Sequence, residues 1–146
     1  MPWRTLKTDW KAQRDATGAF IGDYVNIEDY NRIKNNLIYL RDLVEDFFGN
    51  LETFTVGADK TSHAEYYYAD EWNLIEDGLQ KIQDRINLWD FGEKQTFFDN
   101  GQFIAYAELN RIESAELKLY EVINNSAVNR QRLAFRLGTR SSTIKP

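Results

Sequence analysis

The side chains that could carry out catalysis in this chain are few, and their spacing does not favour it. The sequence has one histidine, His63, and no cysteine, and Ser62 is the direct neighbour of that histidine. A hydroxyl nucleophile needs a base within hydrogen-bond reach and a third group that orients the base, and two adjacent residues are poorly placed for this. A metal site would lack thiolate ligands and a second imidazole. The sequence therefore predicts no catalytic residue, no metal ligand, no cofactor and a protein that is not an enzyme.

Two further patterns match functional motifs only in part. Residues 90–92 read Asp-Phe-Gly, the magnesium-binding tripeptide of protein kinases, but no glycine-rich phosphate loop and no His-Arg-Asp segment accompany it. Asp42, Glu45 and Asp46 are spaced i, i+3 and i+4, so they share one face of a helix. Such carboxylates could work as an acid–base pair, but nothing in the sequence marks one of them as desolvated. We interpret them as a solvated helix face.

One short sequence motif, called the repeated phrase below, recurs three times. The elements that contain it must hold most of the apolar side chains. In each copy an acidic and an apolar residue precede an asparagine, and an isoleucine follows two positions later. The copies are E-D-Y-N-R-I-K-N-N-L at 28–37, D-E-W-N-L-I-E-D-G-L at 70–79 and A-E-L-N-R-I-E-S-A-E at 107–116. Their apolar positions continue at spacings of three and four, the pattern of a helix that buries one face. Only Glu116 interrupts the third copy, so the sequence predicts one helical unit used three times.

The asparagine of this phrase lies beside the apolar stripe in every copy. The three residues are Asn31, Asn73 and Asn110. Asparagine is mildly unfavourable inside a helix, so three equivalent occurrences need a structural reason. We expect each to hydrogen-bond the backbone of a neighbouring connection; the alternative is a duplicated unit with solvent-facing amides. Arg32 and Arg111, which follow two of the asparagines, are expected to pair with acids nearby.

The stripes predict a mainly α fold: a bundle of three long helices plus a short C-terminal helix. The helices are expected at 26–49, 62–89, 105–125 and 127–137. Asn26 and Gly49 are the end signals of the first helix. Short β pieces are expected only in the connections, at 53–56, around the turn signal at 99–101 and before residue 25. Neighbouring helices are expected to be antiparallel, although connections of this length also permit a parallel arrangement.

The charge is unevenly distributed between three predicted regions. These are an N-terminal extended arm at 1–25, a three-repeat bundle at 26–126 and a basic C-terminal helix and tail at 127–146. The last 19 residues carry five basic and no acidic side chains, whereas residues 1–127 carry 13 basic and 23 acidic ones, a balance of −10. The negative whole-chain charge argues against nucleic acid as a partner. No apolar run is long enough to span a bilayer and no signal peptide is recognisable, so cytoplasmic synthesis is expected.

The repeated phrase also carries a resemblance to a known class of proteins. N-I-E-D-Y-N-R-I-K-N-N-L-I-Y-L at 26–40, preceded by T-D-W at 8–10, resembles segments of tail, baseplate and fibre-associated structural proteins of tailed phages that infect Gram-positive bacteria. A-E-L-N-R-I-E at 107–113 resembles the same phrase in another form. The resemblance implies a virion component made in the host cytoplasm. It would act by assembly with other virion proteins and with copies of itself, and the resemblance supplies no catalytic residue.

Contacts in such an assembly are expected at arginines of the C-terminal region and at aromatic residues outside the stripes. These are Arg130, Arg132, Arg136, Arg140, Trp3, Trp10, Phe97 and Phe98. An alternative is a receptor- or carbohydrate-binding module of a phage tail, in which aromatic rings beside polar side chains stack on a host-surface glycan. Its candidate residues are Trp89, Phe97, Asp99 and Asn100. A phage-encoded regulator that binds host proteins is a further alternative.

Overall fold

The computed structural model describes residues 3–62, 69–86, 92–98 and 104–144, with side chains up to residue 126. Three helices form: α1 at Ile27–Phe48, α2 at Ala69–Ile86 and α3 at Tyr106–Ile144. The predicted mainly α fold is confirmed. Within these ranges no strand forms, and the expected strand at 53–56 is absent. One isolated antiparallel bridge joins Arg14 and Phe20, and the expected hairpin around 99–101 lies outside the described residues.

The ends of α1 follow the signals in the sequence. The Asn26 side chain accepts a hydrogen bond from the backbone N–H of Asp29, and the Asp29 carboxylate accepts one from the backbone N–H of Asn26. This reciprocal capping box satisfies two groups that a helix start otherwise leaves without partners. The helix ends at Gly49, whose φ of +64° lies in the left-handed region that favours glycine. Both predicted ends are therefore confirmed.

The three helices are parallel and in register. Each begins four residues before the asparagine of its repeat. Near these starts the rings of Tyr30 on α1 and Trp72 on α2 meet edge to face at 5.4 Å. Near the other end Arg85 of α2 donates hydrogen bonds to the carbonyl oxygens of Phe48 and Gly49. Between α1 and α3, Arg32 pairs with Glu113, and both residues lie near the starts of their helices. The helices therefore take the parallel arrangement that the connection lengths left open, and not the antiparallel default.

Parallel helices require connections that run the full length of the bundle, and the described parts do so in extended form. Between α1 and α2, the chain from Phe54 to Lys60 contacts α1 first at Arg41, then at Lys34 and finally at Asn31. The connection therefore runs antiparallel to the helix that it leaves. Each repeated unit is thus an extended segment followed by a helix.

The repeat positions build the core. Residues at matching positions in the three helices are buried together, in four successive levels. They are Tyr30, Trp72 and Leu109; Ile33, Ile75 and Ile112; Leu37, Leu79 and Glu116; and Leu40, Ile82 and Leu119. Gly78 permits one close approach, because a Cβ there would lie 2.6 Å from the ring of Phe54. The glycine thus admits the connection against α2, and Leu37 of α1 also lies close, 3.1 Å from the same Cβ position.

Helix α3 does not end where the sequence predicted. It continues through Asn124 and Gly138 to Ile144 as one helix, in place of a third helix and a separate short one. The Asn124 side chain donates to the carbonyl oxygen of Tyr120 at 2.8 Å, so the amide is satisfied within the helix. A single glycine costs a helix only about 1 kcal/mol, and no proline lies between 105 and 144. Because α3 has 39 residues and α1 has 22, its last 17 residues have no counterpart in α1.

Candidate functional site

The three repeated asparagines form hydrogen bonds with the backbone of the connections, as expected. Each side-chain oxygen accepts from one backbone N–H, and each Nδ2 donates to the carbonyl oxygen of that same residue. Asn31 holds Lys60 at 2.8 and 2.8 Å, Asn73 holds Phe97 at 2.7 and 2.8 Å, and Asn110 holds Trp10 at 2.8 and 3.1 Å. We call these paired hydrogen bonds the three asparagine clasps. Solvent-facing amides inherited by duplication are excluded at all three sites.

The clasps follow a cyclic order. Asn31 of α1 holds the segment that leads into α2, and Asn73 of α2 holds the segment that leads into α3. Asn110 of α3 then holds the segment that leads into α1, which closes the ring. The clasped residue precedes the next asparagine by 13 positions in the second and third units, at Lys60 and Phe97. In the first unit Trp10 precedes Asn31 by 21 positions, so that unit has eight more residues, in the region where the bridge at 14 and 20 forms.

Ion pairs join the helices at two of the three interfaces, in the order opposite to that of the clasps. Arg32 pairs with Asp29 at 2.7 Å within α1 and with Glu113 of α3 at 2.5 Å. Arg111 pairs in the same way with Glu108, at 2.6 Å within α3, and with Glu76 of α2. The expected pairing of both arginines with acids is therefore confirmed.

Burial governs the ionisation of the two carboxylates that cross these interfaces. It raises the pKa of Glu113 and of Glu76 above the ordinary value, and the paired arginines oppose that shift. At the third interface the equivalent positions hold Leu74 and Lys34, and Lys34 pairs instead with Asp59 of the connection. The interface between α2 and α1 therefore lacks the helix-to-helix ion pair of the other two.

Glu116 is a carboxylate in the middle of the apolar core. It is fully buried at the level where α1 and α2 present Leu37 and Leu79. Neither carboxylate oxygen has a hydrogen-bond partner among the described residues. Burial raises the pKa of Glu116 well above its ordinary value, and the nearby charge of Glu113 adds to that shift. The interruption seen in the sequence is thus a buried polar group, which is destabilising when it lacks a partner.

The aromatic residues expected at contacts have different surroundings. Trp10 is only 4% exposed and belongs to the core, so its side chain is not a surface contact. Trp3 is half-buried and stacks on Tyr120 with ring centroids 4.2 Å apart. Phe97 is half-buried beside its clasp, whereas Phe98 is 74% exposed. Of the four, only Phe98 presents most of its ring to solvent.

The arginines expected at contacts all lie on the last part of α3. The backbone of Arg130, Arg132, Arg136 and Arg140 is helical, and their side chains lie outside the described part of the structure. The contact role of these four arginines therefore stays a prediction.

A groove that the sequence did not predict lies beside the C-terminal half of α1. It measures about 320 Å³ and is lined by Arg41, Asp42, Glu45, Leu51, Glu52, Thr53 and Phe54. Three of these residues are acidic and one is basic, and we call the feature the acidic groove. The guanidinium of Arg41 lies 5.8 Å from the centre of the Phe54 ring and donates to the Phe54 carbonyl oxygen. One sequence signal could have indicated it: the last turn of α1 contains no basic residue, although helix C-termini favour cations.

The described residues offer no arrangement typical of a metal centre. No group of three His, Asp or Glu side chains in the described ranges could hold an ion. His63 and the pair Asp90 and Phe91 lie outside those ranges. Among the described helices none combines the length and the apolar character needed to cross a bilayer. No protein-family model, no curated protein and no solved structure matches this chain.

Proposed function

We propose that this protein is a non-enzymatic structural component of a phage virion, in the tail, baseplate or connector, and that it acts by protein–protein assembly. One observation carries the proposal: a closed three-unit body is continued by 17 further residues of α3. Because a helix rises 1.5 Å per residue, this part is roughly 25 Å long. It carries four arginines and no acid, on a chain with a net charge of −5.

The clasped body suits a part that must keep its shape. Each clasp ties a connection to a helix by two hydrogen bonds to the N–H and the C=O of one residue, and the first segment is tied to the last helix. Such ties hold the extended segments in one position without a sheet. The resemblance of residues 26–40 to phage tail proteins supports the virion as the place of assembly.

The proposal is tested on the particle itself. Phage particles from the host that carries the gene are purified on a density gradient and their proteins quantified by mass spectrometry. We expect peptides of this chain in a fixed ratio to the major tail protein across gradient fractions. Peptides confined to the soluble fraction of infected cells, with none in intact particles, would overturn the proposal.

Glycan binding is a second candidate, and one observation favours it. Phe98 exposes 74% of its surface directly after the clasped Phe97, so an aromatic ring is held on a fixed backbone next to solvent. A sugar face can stack on such a ring. Wild type and Phe98→Ala are compared on an array of bacterial cell-wall polysaccharides. Binding that is lost in the variant supports this candidate, and no binding by the wild type removes it.

A further inference from the structure

We infer that the basic C-terminal part of α3, residues 128–144, docks in the acidic groove of a second copy of this chain. The inference rests on the proposed assembly function and names the partner and both surfaces. The contact joins two features of the same chain: a helix that extends beyond its bundle and a groove in which three of the seven lining residues are acidic.

The docking part of α3 combines an apolar helix face with basic side chains. Leu133, Leu137 and Ile144 recur at spacings of four and seven, which is the spacing of one helix face. Arg136 and Arg140 are also four apart. Residues 128–144 include no aspartate or glutamate, so a basic and apolar helix follows the acidic body.

The acidic groove has the complementary composition. Asp42, Glu45 and Glu52 supply carboxylates, and Leu51 and Phe54 supply apolar contact. Glu45 uses one oxygen to accept from the Leu51 backbone N–H at 3.1 Å, and its other oxygen has no hydrogen bond in the described structure.

The cations already beside this groove do not cancel its charge. Arg41 pairs with Asp42 at 3.1 Å and Lys81 with Glu52 at 3.3 Å, so Glu45 and neighbouring Asp46 have no paired cation among the described residues. The C-terminal partial charge of α1 adds to this negative potential. The groove volume of about 320 Å³ admits side chains of a docked helix but not its backbone, because a helix with side chains is ~10 Å across.

The helix of the same molecule cannot fill this groove. Because the helices are parallel and in register, Ala127 of α3 is level with Phe48, the last residue of α1. Asp42 and Glu45 precede Phe48, so the groove lies below the level at which the extra part of α3 begins. From there α3 continues away from the bundle as one helix. Another molecule must therefore supply the helix, and an identical copy carries the matching charge.

Self-association of the full chain tests the inference. Sedimentation velocity is run on wild type, on Arg136→Glu with Arg140→Glu, and on Asp42→Lys with Glu45→Lys. We expect the wild type to associate, less so as salt rises from about 50 to 500 mM, because opposite surface charges attract through solvent. Each double variant should weaken self-association at least about tenfold. Mixing the two should restore association, since the unchanged helix of one variant matches the unchanged groove of the other and the two reversed surfaces also match.

A matched control carries the same charge change outside the groove. Asp84→Lys with Glu121→Lys reverses two exposed acids on α2 and α3 and should associate like the wild type. A wild type that stays monomeric at ~100 µM, or a control that loses association as fully as the groove variant, would overturn the inference.

Folding and function remain distinguishable in this design. Circular dichroism melts check each variant, and a groove variant that fails to fold is replaced by Asp42→Asn with Glu45→Gln, which keeps the acceptor for Leu51. The neutral pair should also weaken association, by a smaller factor than the charge-reversed pair. Unchanged association in the neutral pair counts against the contact.

A chain found in virions but monomeric in solution would refute the docking alone. A self-associating chain absent from virions would refute the proposed function alone.

Discussion

Removing one asparagine clasp should destabilise the whole protein, and Asn110→Ala is the most informative change. The substitution deletes two hydrogen bonds to the backbone N–H and C=O of Trp10, each worth about 1 kcal/mol net. Alanine returns about 0.6 kcal/mol through its better helix propensity. The Trp10 backbone, next to a buried side chain, is left without those partners, which adds about 1 kcal/mol or more. The expected loss is therefore ~2 kcal/mol in the free energy of unfolding.

The three sites should rank by the burial of the residue that is clasped. Trp10 and Lys60 are buried, whereas Phe97 is half-buried and its backbone groups can more readily recruit water. Asn31→Ala should thus lose about as much as Asn110→Ala, and Asn73→Ala should lose less.

The assay is equilibrium urea unfolding followed by circular dichroism and tryptophan fluorescence, read by linear extrapolation. Asn125→Ala is the matched control, because Asn125 is an exposed asparagine of α3 outside the clasps. It should be neutral or slightly stabilising. Asn110→Asp retains the acceptor for the Trp10 N–H but places an oxygen against the Trp10 carbonyl, so it should be at least as harmful as alanine. Losses below about 0.5 kcal/mol at all three sites would refute the reasoning.

The remaining predictions concern the core and the ion pairs. Glu116→Leu should raise the free energy of unfolding by ~1–3 kcal/mol, because it replaces an unpaired buried carboxyl with an apolar side chain. Since the pKa of Glu116 is raised in the folded state, its contribution is most favourable below the ordinary value of 4.5 and is lost as pH rises. The gain from leucine should therefore grow with pH in urea titrations, and a gain that shrinks would contradict this. Gly78→Ala should lower the melting temperature despite its better helix propensity, because the new methyl group would overlap the Phe54 ring; a rise would show that the ring can move. Arg111→Met should cost ~3 kcal/mol by leaving Glu76 buried without its partner, and a double-mutant cycle with Glu76→Gln should recover most of that loss.

The repeat in the sequence was sufficient to predict the three helical units of this fold and the hydrogen bonds of their asparagine clasps. Helix periodicity identified the three buried faces, and Asn26 and Gly49 identified the ends of α1 because caps act locally. The interruption at Glu116 was visible, but its burial was not, since neighbouring helices fix the register. The clasps were predictable because an asparagine repeated inside a helix opposes its own propensity.

Helix direction could not be predicted from the same information. An apolar stripe has the same period in either direction, and the connections are long enough for both arrangements. The ion pairs of Arg32 and Arg111 depend on that direction, so their cyclic order was also out of reach. The acidic groove was missed because it requires Leu51 and Phe54 to fold back onto α1. The end of α3 could not be predicted because Asn124 and Gly138 only weakly oppose a helix. Each costs a helix interior no more than about 1 kcal/mol.

Closure of the ring has a consequence for how the chain folds during synthesis. The clasp between Trp10 and Asn110 joins residues 100 positions apart, and Lys7 reaches Glu113 over 106. Contacts this distant in sequence slow folding, because a long loop must be closed before they form. The first segment leaves the ribosome well before its partner helix exists. Its docking is therefore a late step in folding, and a nascent chain that lacks the third unit exposes the apolar faces of α1 and α2 that α3 later covers.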